Sequence, residues 1–443
     1  MSNQTLSHTF HIPVMGLGYT VDTPIKVAKY GISSVVSIMD DHLLEDMRKI
    51  YSKKYVREFI PIPDSEDDYR AKRITAYLDL TQSLVDEQFK KLINEDWKSN
   101  IEFRKYLELL PDKSTVASLF SRLATASSTE HLQLKESIKS QLTIGSIDVN
   151  IMTKVDKINI DKSGYELPRE YSDALSALRG FAKSKVKGSV VFSAGMNPAL
   201  YGYAAQFSEF YPDQNGEISK GIILKVSDYR SALIQGKFLA KKGLWVSEFR
   251  IESGLNCGGH AFATDGFLIG PILEEFKTKR KELYQSLYQT CQNSLISRNL
   301  NNLKESHTFK VTYQGGLGTA TEDSFIRKYF ELDGTGWGSP FLLVPEATSV
   351  DEETLDRLYT AKKSDFFLSH ASPLGVPFNN LQTSSGEAQR RERIEKNRPG
   401  SPCYKKFLSN NTEFTENPIC TASRQYQILK TKQFEDGEIE VYE

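Results

Sequence analysis

The chain has 443 residues, 39% hydrophobic and 26% charged. That is ample for a large core and excludes a disordered, collagen-like or disulfide-stapled protein. Its 56 Lys+Arg against 57 Asp+Glu leave a net charge of −1, so no global basic field invites nucleic acid or an anionic membrane, and such a role would need a local patch. The four cysteines, Cys257, Cys291, Cys403 and Cys420, show no CxxC spacing, which argues against a zinc ribbon and for a reducing compartment. The first twenty residues lack a charged segment followed by a long apolar one, and no run of about 18 apolar residues occurs anywhere. The expectation is a soluble, cytoplasmic protein.

Short β-branched runs alternate with longer segments of helical spacing, the pattern of βα units around a parallel sheet. In chain order the expected strands are Phe10–Met15, Ser33–Ile38, Ile147–Met152, Ser189–Ala194, Gly221–Val226, Leu244–Phe249, Phe309–Tyr313 and Gly334–Trp337. Each is nearly continuously apolar or small, as strands covered on both faces are. Eight such units predict a closed (β/α)8 TIM barrel, with its active site at the C-terminal ends of the strands. The barrel is expected over residues 1–64 and 143–364. Residues 65–142 show no strand but two helical stretches, and read as a helical insertion serving as a lid, a dimer surface or decoration. A C-terminal extension, 365–443, carries Ser-Pro, Val-Pro and Arg-Pro-Gly turn signals around the charged stretch GEAQRRERIEKNR.

Four constellations carry candidate chemistry. After the seventh strand, Gly315, Gly316 and Gly318 open a helix near Thr319 or Thr321, an arrangement that brings backbone N–H groups and a helix N-terminus to an anion. Around the eighth strand, Gly334, Gly336 and Gly338 lead to Ser339. Either cluster alone has a purely steric reading. Together they occupy the usual phosphate position of this barrel and imply a phosphorylated ligand. The segment after the sixth strand, residues 247–266, concentrates Glu248, Arg250, Glu252, Asn256, Cys257 and His260 with glycines. His260, after Gly258 and Gly259, is the general-base candidate there, and a structural histidine is its alternative. Cys257 is a reactive thiol or, more ordinarily, a buried free one. In the fourth constellation, Met15 and Gly16 end the first strand, where small residues would let a flat ring lie over the barrel mouth or simply permit a glycine turn, and Asn150 and Lys225 end the third and fifth strands, facing a ligand or simply capping.

The order of these motifs resembles the nitronate monooxygenase (2-nitropropane dioxygenase-like) family of FMN-dependent TIM barrels. HIPVMG is similar to the family's first-strand Pro…Met-small element, and Asp148–Val149–Asn150 to its third-strand Asn element. Glu252–Ser253–Gly254 and Gly258–Gly259–His260 resemble its Glu-Ala-Gly-Gly-His element, with Leu255–Asn256–Cys257 inserted. Gly315–Gly316–Leu317, Gly338–Ser339 with Glu346–Ala347, and Ser372–Pro373–Leu374–Gly375–Val376–Pro377 match later segments. The resemblance spans roughly residues 10–60 and 145–380.

It implies FMN, with phosphate on Gly315, Gly316, Gly338 and Ser339. Met15, Gly16, Asn150 and Lys225 would lie near the ring or ribityl chain, beside Gly258 and Gly259. His260, with Glu252, would take a proton from carbon beside an electron-withdrawing group. Glu248 is the nearest candidate for a flavin-contacting Gln of the family that this chain lacks. The long insertion and tail resemble the larger relatives, which include enoyl-reductase components of polyunsaturated fatty-acid and polyketide synthesis. Those imply NAD(P)H as electron donor, an acyl-thioester substrate, and a homodimer or multi-enzyme partner. A barrel that kept the fold and serves as a partner-binding subunit is the non-catalytic alternative.

Overall fold

The computed structural model describes residues 8–97, 99–111, 114–123, 125–161, 163–193, 195–252, 268–371, 378–401, 406 and 408–440. Eight parallel strands close into a barrel in sequence order: β1 (Phe10–Ile12), β2 (Ser33–Ser37), β3 (Ile147–Met152), β4 (Ser189–Ser193), β5 (Gly221–Val226), β6 (Glu248–Glu252), β7 (Lys310–Gln314) and β8 (Gly334–Gly336). Closure is made by β1 on β8, with Phe10 opposite Thr335 and His11 opposite Gly336. The chain is a (β/α)8 barrel.

Seven strands fall where the sequence predicts them, within a few residues. The sixth does not: it runs through Glu248–Glu252, and Leu244–Val246 precede it. Leu244, Trp245 and Val246 are buried in the main hydrophobic cluster outside the barrel. Glu248, Arg250 and Glu252 alternate with Phe249 and Ile251, a period of two in which the polar side chains face inward. That inversion is tolerated because the barrel interior supplies a partner to each charge, as described below.

The described helices are α1 (Thr23–Val27), α2 (Asp41–Lys54), α3 (Tyr69–Asn94), α4 (Ile101–Glu108), α5 (Thr115–Leu123), α6 (Ser128–Gln141), α7 (Asp173–Lys183), α8 (Pro198–Ala204), α9 (Tyr229–Ala240), α10 (Ile269–Ser297), α11 (Ala320–Phe330), α12 (Glu352–Thr360), α13 (Ser385–Glu395) and α14 (Arg424–Glu435). Short polar side chains start many of them. Asp40 accepts from the Leu43 amide at 3.2 Å, Asn197 from Leu200 at 3.0 Å and Asp228 from Ser231 at 2.6 Å. Each satisfies an amide that the first helical turn leaves without a partner.

Between β2 and β3 lie α3–α6, and α3 packs into the main core through Ile74, Tyr77, Leu78 and Val85. Ion pairs dock α3: Arg73 donates to Asp41 at 2.9 Å, Arg70 meets Asp173 at 2.5 Å, and Arg179 donates to Asp68 at 2.7 Å. Beyond α3 the excursion has its own core of Leu92, Trp97, Phe103, Tyr106, Leu110, Val116, Ile138 and Leu142. After β8, an antiparallel hairpin of β9 (Phe366–Ser369) and β10 (Phe378–Leu381) precedes α13 and α14. No described helix is long and apolar enough to cross a membrane.

Candidate functional site

The barrel interior is divided. On one side Val14, Val35, Val191 and Ile223 form a small apolar cluster. Val14 belongs to the segment after β1, so that segment folds inward over the apolar side. The other side is polar over two levels.

The lower level centres on Arg250, 2% exposed. Its Nε donates to Glu248 Oε1 at 2.8 Å, and its Nη2 lies 3.8 Å from Asp148 Oδ2. Thr312 Oγ1 donates to Glu248 at 2.6 Å; Ser146 Oγ and the Ser189 amide donate to Asp148 Oδ1 at 2.7 and 2.9 Å. Burial works to raise the Glu248 carboxyl, but the charge and hydrogen bond of Arg250 overcome it and hold the pKa at about 2. Burial raises Asp148, and Arg250 offsets that only in part. Buried charges persist in this way only where paired and hydrogen-bonded.

The upper level lies at the C-terminal ends of the strands. His11 Nε2 donates to Gln314 Oε1 at 3.2 Å, Gln314 Nε2 donates to Glu252 Oε2 at 3.2 Å, and Lys225 Nζ forms an ion pair with the same oxygen. The chain of contacts thus crosses β1, β7, β6 and β5. It is possible because β8 carries glycine: a Cβ at Gly336 would stand 2.6 Å from His11 Nε2 and 2.8 Å from Gln314 Cγ. Burial, reinforced by the Arg250 charge, pushes the His11 pKa down to about 3. His11 is therefore a neutral hydrogen-bond donor at ordinary pH.

Ser37 and Asn150 are register neighbours on β2 and β3, 4% and 7% exposed. Ser37 Oγ is buried with no hydrogen-bond partner among the described residues. Buried polar groups are ordinarily satisfied, so such a hydroxyl at the end of β2 marks a place where a ligand or water completes the set.

Of the sequence-predicted residues, Lys225 and Glu252 pair at this rim, and Asn150 lies on β3 in register with Ser37 of β2. Glu248 lies four residues earlier on β6, about 13 Å down the strand, and is committed to Arg250 and Thr312. Met15 packs near Gly338, its Sδ 3.5 Å from where a Cβ there would stand. Gly16 and Ser339 are exposed on the loops after β1 and β8. Cys257, Gly258, Gly259, His260, Cys403 and the segment 372–377 lie outside the described residues. His11, Gln314 and Ser37 belong to the rim although no motif singles them out. Their signal is only a polar residue at an inward position of a strand, which the period of two reveals once the strand is known.

Gly315 and Gly316 make the turn out of β7 with φ of +103° and +69°, the left-handed region open to glycine. The helix they lead to is α11, capped at its N-terminus by Thr319 and Glu322. Glu322 Oε2 accepts from the Gly318 and Thr319 amides, both at 2.9 Å, and Thr319 Oγ1 accepts from the Glu322 amide at 3.2 Å. This is a capping box. At the start of α11 the Gly318 and Thr319 amides are thus held by the chain's own carboxylate.

No family model and no curated protein matches the chain. Among solved structures it is similar to the enoyl reductase domain of MlnA from the macrolactin biosynthesis cluster of Bacillus amyloliquefaciens, at 13% identity over 76% of this chain and 74% of that one, with a TM-score of 0.35. It is also similar to nitroalkane oxidase from Streptomyces ansochromogenes, at 8% identity over 84% of this chain and 76% of that one, with a TM-score of 0.35. At those values the likeness says nothing of activity or ligand, and the barrel stands on its own strand pairing.

Proposed function

We propose that the barrel is a flavin-dependent oxidoreductase that holds the flavin ring over the Lys225–Glu252–Gln314–His11 level. The observation that carries this reading is the buried Ser37 hydroxyl, without a hydrogen-bond partner among the described residues, on a barrel whose β3 and β5 carry Asn150 and Lys225. A hydroxyl, a carboxamide and an ammonium together match a ring edge that alternates carbonyl oxygens and ring nitrogens. The apolar side formed by Val14, Val35, Val191 and Ile223 would take a ring face.

The flavin, when bound, supplies a two-electron acceptor. The chain's own residues do the rest. Lys225 donates to the ring edge and favours negative charge there. Glu252 is a positioning residue that holds the Lys225 ammonium, and Gln314 orients Glu252 through a donor fixed by His11. His260, outside the described residues, would take the proton from substrate carbon beside an electron-withdrawing group.

The test is titration of the purified protein with riboflavin and FMN, followed by flavin fluorescence. Saturable binding of a flavin by the wild type, weakened about tenfold in Asn150→Ala, is expected. A well-folded protein that binds neither flavin overturns the reading. With binding established, His260→Asn should keep the flavin and lower turnover of a nitronate by roughly 10²–10⁴-fold.

A further inference from the structure

The two glycine loops suggest a phosphate cradle, yet their charge is of the wrong sign. No Lys, Arg or His occurs between Lys310 and Arg327, or between Lys328 and Arg357. The same two stretches carry Glu322, Asp323, Glu331, Asp333 and Glu346. At the first turn of α11, Glu322 holds the Gly318 and Thr319 amides. Asp323 beside it is balanced, accepting from Arg327 at 2.8 Å and from Thr335 Oγ1 at 2.5 Å. Glu322 has no ion pair among the described residues. A helix N-terminus recognises an anion through free amides and its dipole; here the Gly318 and Thr319 amides are already directed at the chain's own carboxylate. A phosphate at those two amides would have to displace Glu322 and then lie beside it, with no cation supplied by either loop.

We infer that Glu322 is a specificity-determining residue that stands in for the ligand phosphate, so that the barrel takes an unphosphorylated, riboflavin-like ligand in place of FMN. The inference rests on the flavin reading given above for its ligand, but not for the state of the helix end. Anion exclusion at Gly318–Thr319 follows from the geometry whatever the ring is.

The experiment uses the full chain and two variants, Glu322→Gln and Glu322→Ala. The Gln side chain keeps the capping geometry and removes only the charge. Dissociation constants for riboflavin and FMN are measured side by side. The expected result is a wild type that binds riboflavin at least as tightly as FMN. Glu322→Gln should improve FMN binding by about tenfold and leave riboflavin unchanged, the size expected for one removed like charge at a helix terminus. A wild type that prefers FMN by about a hundredfold, the gain of well-made phosphate contacts, overturns the inference. So does a FMN-to-riboflavin ratio that neither variant moves.

A second readout separates this from the flavin reading. Amide ¹⁵N shifts of Gly318 and Thr319 are followed as inorganic phosphate is added. In the wild type they should not move, and in Glu322→Ala they should. Phosphate-induced shifts in the wild type overturn the inference even if no flavin binds. Their confinement to the Ala variant supports it on the same condition.

Discussion

Lys225 stands in register with Arg250 on the neighbouring strand, yet it pairs with Glu252, one inward-facing position further on. Two cations side by side on one face of a sheet repel. The barrel resolves this by giving each its own carboxylate: Glu248 takes Arg250 and Glu252 takes Lys225. The three charges of β6 are thus a matched set with Lys225, and the set has a direction. Its lower pair is sealed and structural, while the upper pair lies at the mouth, where Lys225 keeps a fifth of its side chain exposed.

This arrangement makes the two halves of the upper pair unequal. Removing Glu252 takes from Lys225 the carboxylate it pairs with, next to Arg250; removing Lys225 leaves a carboxylate that Gln314 still donates to. Glu252→Gln should therefore lower unfolding free energy by about 2 kcal/mol, and Lys225→Met by less than about 1 kcal/mol. Urea denaturation of both variants at neutral pH decides it. Equal losses would mean that the like-charge register governs nothing.

The second prediction concerns acid. His11 in the unfolded chain titrates near 6.5, whereas burial, with the Arg250 charge, lowers it to about 3 in the fold. Between these values the unfolded chain binds a proton that the folded chain refuses. The stability contributed by neutral His11 is complete above about pH 6.5 and is lost as pH falls through that window, at up to about 1.4 kcal/mol per pH unit. His8 and His307 are lowered by burial as well and add the same sign. Glu248, whose pKa is held at about 2, adds its own loss only below the ordinary carboxylate range. The difference between wild type and His11→Gln isolates the term. The variant should be the less stable at about pH 7.5, and the gap should narrow or reverse by about pH 5. A gap independent of pH would show that the fold does not shift the His11 pKa.

Much of this was legible in the sequence, and what was not has a physical cause. The barrel could be read because strands covered on both faces are apolar runs, and Val35–Val36, Val149–Ile151 and Val190–Phe192 are such runs. The sixth strand misled because Leu244–Val246 is the more apolar stretch, while the true strand carries its charges inward. No local pattern tells an inward Glu248 from an exposed one, since the difference is made by Arg250, Thr312 and Asp148 on three strands. Asn150, Lys225 and Glu252 were found because strand ends point to the mouth. His11 and Gln314 were missed because their meeting depends on closure of β1 on β8, a contact 303 residues apart in sequence. The glycine turn after β7 was read correctly as a turn; that its helix is capped by Glu322 was written in Thr319-x-x-Glu322, a signature outweighed by the glycines.

Gly336 gives a third prediction. It faces the site only as an absence: the His11 ring and the Gln314 side chain occupy the space a Cβ would need, at 2.6 and 2.8 Å. Gly336→Ala should cost about 1–3 kcal/mol and separate His11 from Gln314. Flavin affinity should fall with it, because the donor that orients Glu252 is lost. A variant with unchanged melting temperature and unchanged flavin binding would show that the rim adapts freely.

The last prediction separates the insertion from the barrel. Trp97 and Phe103 stack with centroids 4.3 Å apart in a core built from the end of α3, α4–α6 and their connections, against which Tyr30 also packs. The link from α4 to the barrel wall runs through Glu102, which accepts from Tyr30 Oη at 2.6 Å and from Lys29. α3, by contrast, is docked by Arg73–Asp41 and Arg70–Asp173. Phe103→Ala opens a cavity in the first unit and should cost it about 3–5 kcal/mol, while the barrel ion pairs stay whole. Hydrogen exchange should then show faster exchange in α4–α6, with α3, α7 and the strands unchanged, and flavin binding should persist. Loss of protection in β2 and β3 as well would mean that the excursion and the barrel unfold as one unit, with the Glu102 contacts carrying the coupling.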